Sequence, residues 1–224
     1  MKYFYSLLVL FSFLNIQVNA QQIILESGKS MTSFEFKDSQ GTKLENLQGT
    51  TQNYIFLGFR KNAIKDFLHV LVGTSMNSYG TIGSDNAVNN YYEWETTYLG
   101  FLAGVDIKLL KIKKMTFYLR GTTSVEFLLQ GTQIVNNNVY DLVGEEDFDK
   151  SNIFFRGGAV LEYPLSDIVN ISLQYKYGKS KQLKNDSSHS NQARIKFKSH
   201  DIGFGLIINL KKSKKENQRK LISK

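Results

Sequence analysis

The sequence predicts an all-β protein: an eight-stranded antiparallel up-and-down transmembrane β-barrel with long outer loops and short periplasmic turns. Three observations carry this expectation. Segment after segment alternates apolar and polar residues with the period of two that sends successive side chains to opposite faces of a strand. The alternating segments are long, near or above the ~9–11 residues with which a tilted strand crosses a bilayer, whereas a soluble strand has about 5–6. The connections also alternate, long and polar at one end and short at the other, as outer-membrane barrels do.

The elements follow in chain order. "MKYFYSLLVLFSFLNIQVNA" has one charged residue, Lys2, then an apolar run from Leu7 to Leu14, with Val18 and Ala20 placed as small residues before a cut. The run is too short for a span of about 20 apolar residues, so residues 1–20 read as a signal peptide cleaved after Ala20. The barrel domain is expected over 21–210 and a basic tail over 211–224. The chain has no Cys and one Pro, Pro164. Disulfides, a lipoprotein cysteine and thiolate metal sites are therefore excluded, and an exported chain without staples must draw its stability from a large closed fold.

Strands are expected over 27–37, 52–61, 66–79, 92–109, 115–129, 152–163, 168–179 and 194–210. The long connections are "DSQGTKLENLQGT", "GTIGSDNAVNN", "GTQIVNNNVYDLVGEEDFDKS" and "SKQLKNDSSHSNQ". The short ones are "KNAIKD", "KIKK" and "PLSDI". In 115–129, Phe117, Leu119, Val125, Phe127 and Leu129 oppose Tyr118, Arg120, Thr122, Ser124 and Glu126. In 168–179, Val169, Ile171, Leu173, Tyr175 and Tyr177 oppose Asn170, Ser172, Gln174 and Lys176. The stretches 66–79, 92–109 and 152–163 divide in the same way; the first two strands alternate less clearly. Glycines and charges of both signs on the polar face suit a closed interior, where Arg120, Glu126, Arg156, Glu162, Lys176 and Asp201 are expected to pair as a structural charge network. In the closing strand, Ile202, Phe204, Leu206, Ile208 and Leu210 are expected to face lipid, with Gly203 and Gly205 inside. Tyr79, Tyr91, Tyr92, Trp94, Tyr163, Tyr175 and Tyr177 gather near strand ends and suit an interfacial aromatic girdle.

The signal peptide, "YLGFLAGVDIKL", "FFRGGAVLEYPLSDIVNISLQYKYG" and the closing "HDIGFGLIINL" resemble the small outer-membrane β-barrel proteins of Bacteroidetes-type bacteria, described as porin-family or outer-membrane β-barrel-domain proteins. The resemblance spans nearly the whole mature chain and implies a fold and a location, the outer membrane, rather than an activity. Many such barrels end on an aromatic residue that assists assembly; here a basic tail follows Leu210, so the assembly signal would have to be internal. The partners implied are outer-membrane lipid and lipopolysaccharide, and the barrel assembly machinery during biogenesis.

No catalytic site, cofactor or metal is expected. His69, His189 and His200 are joined by no triad order or ligand spacing, and rim or lumen histidines are the better reading. "GEEDFDK" (144–150) offers oxygen ligands in a loop, but its spacing is not that of an EF-hand, and a solvated acidic loop is favoured over a divalent bridge to lipopolysaccharide. "GTIGS" lacks the Lys-Ser/Thr and the helix of a phosphate loop. The net charge of +8 gathers partly in "KIKK" and in the tail 211–224; an exported chain meets no nucleic acid, so headgroup contact is favoured for the turn and a solvated tail for the terminus. Three functional readings follow. The first is a non-enzymatic outer-membrane barrel, either a membrane-anchored surface or structural protein or a restricted small-solute channel. The second is a soluble periplasmic lipocalin-like barrel with its apolar faces around a hydrophobic ligand. The third is an outer-membrane hydrolase or acyltransferase, which requires a polar cluster at the outer strand ends. The surface ligand is not identified by any of them.

Overall fold

A computed structural model describes residues 21–37, 47–85, 90–145, 151–182 and 194–210. The expected signal peptide, the basic tail, His189 and most of the acidic loop lie outside the described residues. Among these, ten strands form: β1 (Gln21–Lys37), β2 (Gln48–Gly49), β3 (Thr51–Ile64), β4 (Leu68–Asp85), β5 (Asn90–Ile112), β6 (Met115–Val135), β7 (Asn138–Asp141), β8 (Asn152–Pro164), β9 (Val169–Gln182) and β10 (Arg194–Asn209). Eight of them pair antiparallel in the order β4-β3-β1-β10-β9-β8-β6-β5, and pairing of β5 with β4 closes the ring. β2 and β7 are short additions on β4 and β6.

Closure is staggered. The register row that starts at Gln182 runs through Asn152, Glu126, Gly100, Ser75, Phe56, Glu26 and Gly205 and returns to β9 at Ser172, ten residues lower on the same strand. Such a shear tilts the staves and leaves, for eight strands, an interior just wide enough for side chains to fill. Both ends of the ring, Gln21 and Asn209, lie at the end that carries the short turns, which in outer-membrane barrels is the periplasmic end.

The faces separate by polarity. Outward stand Leu57, Phe59, Val72, Phe101, Leu119, Phe155, Leu173 and, at 72% exposure, Phe204. Inward stand charged and hydroxyl side chains. A soluble lipocalin-like barrel requires the reverse, so that alternative is overturned. On the closing strand Ile202, Phe204, Leu206, Ile208 and Leu210 are exposed while Gly203 and Gly205 turn in. A large exposed apolar belt on a closed β-ring is stable only where lipid covers it.

Four expectations are corrected. β1 begins at Gln21 and not near residue 27; Ile24 and, on β3, Tyr54 and Phe56 face inward, so apolar residues occupy both faces and blur the alternation there. The connection expected over 80–90 is mostly strand, because β4 and β5 stay paired up to Asp85 and Asn90. The stretch expected as one long loop from 131 continues β6 to Val135, turns at Asn136 and Asn137 (φ 48° and 67°) and returns as β7. Two residues with positive φ between paired strands make the turn that matches strand twist, and Asn tolerates that region. Finally, Tyr79 and Trp94 are buried inside the barrel, Tyr92 stacks on Trp94 against the same interior cluster, and none of the three joins an outer girdle.

Candidate functional site

The interior is the chemically distinctive part of the molecule. It has two polar layers. The lower one, toward the periplasmic end, is built on two arginines. Arg120, near the start of β6, grips Asp106 on β5 with two parallel bonds, Nε to Oδ1 at 2.6 Å and Nη2 to Oδ2 at 2.8 Å. Its Nη1 donates to Glu26 on β1 and, at 3.1 Å, to Gln174 on β9. Arg60, near the end of β3, donates from Nη1 to Asp106 Oδ2 at 2.9 Å and from Nη2 to Glu162 Oε2 at 3.1 Å, with a second Nη1 bond to Glu162, and from Nε to Gln22 at 2.6 Å. Asp106 is thus clasped from two sides. Lys176 Nζ lies 3.6 Å from Glu26 and 4.4 Å above the Tyr54 ring, whose hydroxyl accepts from Gln174 at 3.1 Å. All these charged groups are buried, and a buried charge is tolerable only when paired and hydrogen-bonded.

The upper layer has a different composition. Arg156 on β8 pairs with Glu126 at 2.9 Å and Asp201 at 3.4 Å, and donates to the Tyr79 hydroxyl at 2.6 Å and Ser124 at 2.9 Å. Glu126 also accepts from Asn77 at 3.0 Å, Ser124 at 2.7 Å and Tyr79 at 2.6 Å; Asp201 accepts from Ser30 at 2.6 Å. Above and around Arg156 lies an apolar plug of Tyr79, Trp94, Tyr98, Leu142, Phe154 and Phe197. Phe154 stacks on Tyr79 with centroids 5.1 Å apart and carries the Arg156 guanidinium 4.3 Å over its face. Leu142 reaches this plug from the segment after β7, held by its backbone N–H on the Gly131 carbonyl at 2.9 Å. A second apolar group, Ile24, Phe56, Leu71 and Ile207, fills one wall of the lower interior.

Of the six residues expected in a charge network, the structure brings Arg156, Glu126 and Asp201 into direct contact. Arg120, Glu162 and Lys176 sit in the lower layer and reach one another only through Glu26, Arg60 and Asp106, which that expectation omitted. Asp106 could have been found, since its parity matches Lys108 and Gly104. Arg60 and Glu26 lie where inward apolar residues mask the pattern. His69 is buried beside Tyr118, ring centroids 5.5 Å apart, whereas His200 is exposed and bonded to the Tyr175 hydroxyl at 2.8 Å.

No family model matches the chain, and no curated protein matches it. Solved structures do resemble it. The attachment invasion locus protein Ail of Yersinia pestis is 13% identical over 84% of this chain and 99% of its own, with a TM-score of 0.39. The outer membrane protein OprG of Pseudomonas aeruginosa is 14% identical over 84% and 96%, with a TM-score of 0.44. The outer membrane protease OmpT of Escherichia coli is 7% identical over 86% and 97%, with a TM-score of 0.47. The transmembrane architecture of this chain rests on its own pairings and faces.

Proposed function

We propose that this chain is a non-enzymatic, membrane-anchored surface or structural protein whose barrel is sealed and whose outer strand extensions present a binding surface. The observation that carries this reading is the filled interior. Arginine, carboxylate and tyrosine side chains bond wall to wall, and an aromatic plug with Leu142 lies over them. A diffusing solute would have to break charge-assisted bonds that nothing in transit replaces, which disfavours the restricted-channel reading. The same engagement argues against catalysis by these groups, since their donors and acceptors are already bonded to one another. Export by a signal peptide cut after Ala20, insertion by the assembly machinery and contact with lipopolysaccharide belong to this reading.

The binding surface is the wall formed by β4, β5, β6 and β7. β5 runs 23 residues and β6 21, beyond what a bilayer needs. Above the apolar belt its outer face turns polar, through Ser78, Glu93 and Glu95, and β7 carries exposed Val139 and Tyr140. The test is to fold the full chain into planar bilayers after showing a heat-dependent shift in gel migration. The expected result is a shifted band without conductance steps. Discrete steps above leak would overturn the sealed reading, and recovery without detergent would overturn the membrane reading.

A further inference from the structure

The outer rim of β9 and β10 carries a charge that the interior network does not use. Lys179 and Lys181 on β9 and Lys196 and Lys198 on β10 share the outward parity of the apolar belt and stand directly above it. Lys179 and Lys198 are register partners. Below them the face turns apolar through Tyr177, Tyr175, Ile202 and Leu173. Glu35 is the register partner of Lys196 on β1.

Beside this patch the belt has a notch. Gly121 on β6 and Gly157 on β8 are register partners that face outward, flanked by Phe155, Tyr177 and Lys179. A side chain at either glycine would meet nothing within 4 Å, whereas inward glycines such as Gly158 and Gly203 leave no room for one. Glycine weakens a strand interior and often marks a bulge, a bend or close approach by a ligand; the β6–β8 register runs through Gly121 and Gly157 without a shift. Lys179 Nζ lies 5.5 Å over the Tyr177 ring, at the rim of the notch.

We infer that this face binds one phosphate-bearing lipid of the outer leaflet, its phosphates on Lys179, Lys181, Lys196 and Lys198 and one acyl chain in the notch over Gly121 and Gly157. The juxtaposition of a lysine cluster with an apolar groove at the membrane boundary fits an anionic amphiphile, and polybasic sites of this kind bind anionic headgroups. A second copy of the chain fits poorly, because a two-fold contact centred on the notch would bring Lys179 against its own counterpart. The inference rests on the reading that the chain spans the outer membrane.

The test uses the full folded chain in neutral detergent, titrated with diphosphoryl lipid A and with phosphate-free lipid A and read by native mass spectrometry. A one-to-one adduct is expected with the phosphorylated lipid, and loss of the phosphates should weaken it roughly 600-fold, each of the four lysines being worth roughly fivefold at an anionic lipid surface. Joint Lys179→Gln, Lys181→Gln, Lys196→Gln and Lys198→Gln substitution should do the same. Gly157→Leu, which fills the notch and leaves the lysines, should weaken the adduct about tenfold. Excess inorganic phosphate should not displace the lipid. Equal binding of both lipids, no effect of either variant, or a dimer lost in Gly157→Leu would each overturn the inference. The heat-dependent gel shift, retained in every variant, separates that failure from failure of the membrane reading.

Discussion

The lower and upper halves of the barrel interior solve one problem in different ways. Below, two arginines brace strands across the lumen, and Asp106 accepts charge-assisted bonds from both. Above, a single arginine serves Glu126, but that carboxylate also holds three neutral donors, Asn77, Ser124 and Tyr79. The lower layer is therefore an ionic brace whose members stand or fall together, and the upper layer is an apolar plug with a hydrogen-bonded hub. The contrast teaches that buried charge in a narrow barrel is safest where neutral donors back it up.

The sharpest way to break that comparison is to remove one charge from each half. Arg120→Met should cost about 3–5 kcal/mol, because buried Glu26 and Asp106 lose their main shared partner. Arg156→Met should cost less, about 1–3 kcal/mol, since Glu126 keeps its neutral donors. Urea midpoints of the compact gel band in lipid vesicles measure both; equal losses would erase the distinction. A smaller effect should separate inward from outward glycines. Gly158→Ala sets a methyl against the Tyr175 carbonyl and 2.7 Å from Lys176 Cα, an overpacking worth about 1–3 kcal/mol. Gly157→Ala meets open space and should raise stability by about 0.5–1 kcal/mol. The same midpoints decide this, and the idea fails if the two variants move together. The smallest effect is expected at the β6–β7 turn, where Asn137→Gly relieves a positive φ of 67°. It should add at most about 0.5 kcal/mol, seen as slower proteolytic nicking near residue 137.

Much of the ring was legible because a half-lipid, half-lumen strand must alternate, and β6 from Phe117 to Phe127, β9 from Val169 to Tyr177 and β10 from Asp201 to Ile208 do so. The two strands that resisted, β1 and β3, carry Ile24, Tyr54 and Phe56 inside and Ser27, Lys29 and Asn53 outside, so both faces mix polar and apolar residues. That is why Glu26 and Arg60 escaped notice. The heights of β4 to β7 were missed for another reason. Above the bilayer neither face meets lipid, so the pattern lapses while backbone pairing continues, and only turn chemistry at Asn136–Asn137 marks the hairpin.

Residue order alone determined the class: no cysteine, long alternating segments, and short turns at one end compel a closed ring in lipid, because unpaired backbone groups cannot persist there. Which charges meet was decided only by the tertiary structure. Arg60 and Glu162 are 102 positions apart and lie on strands that do not pair. They meet because the ten-residue stagger of the closed ring brings the end of β3 level with the end of β8 across a lumen one side chain wide. Parity assigns a side chain to the interior; the height at which it sits there, and hence its partner, follows from shear and closure, which are properties of the whole ring.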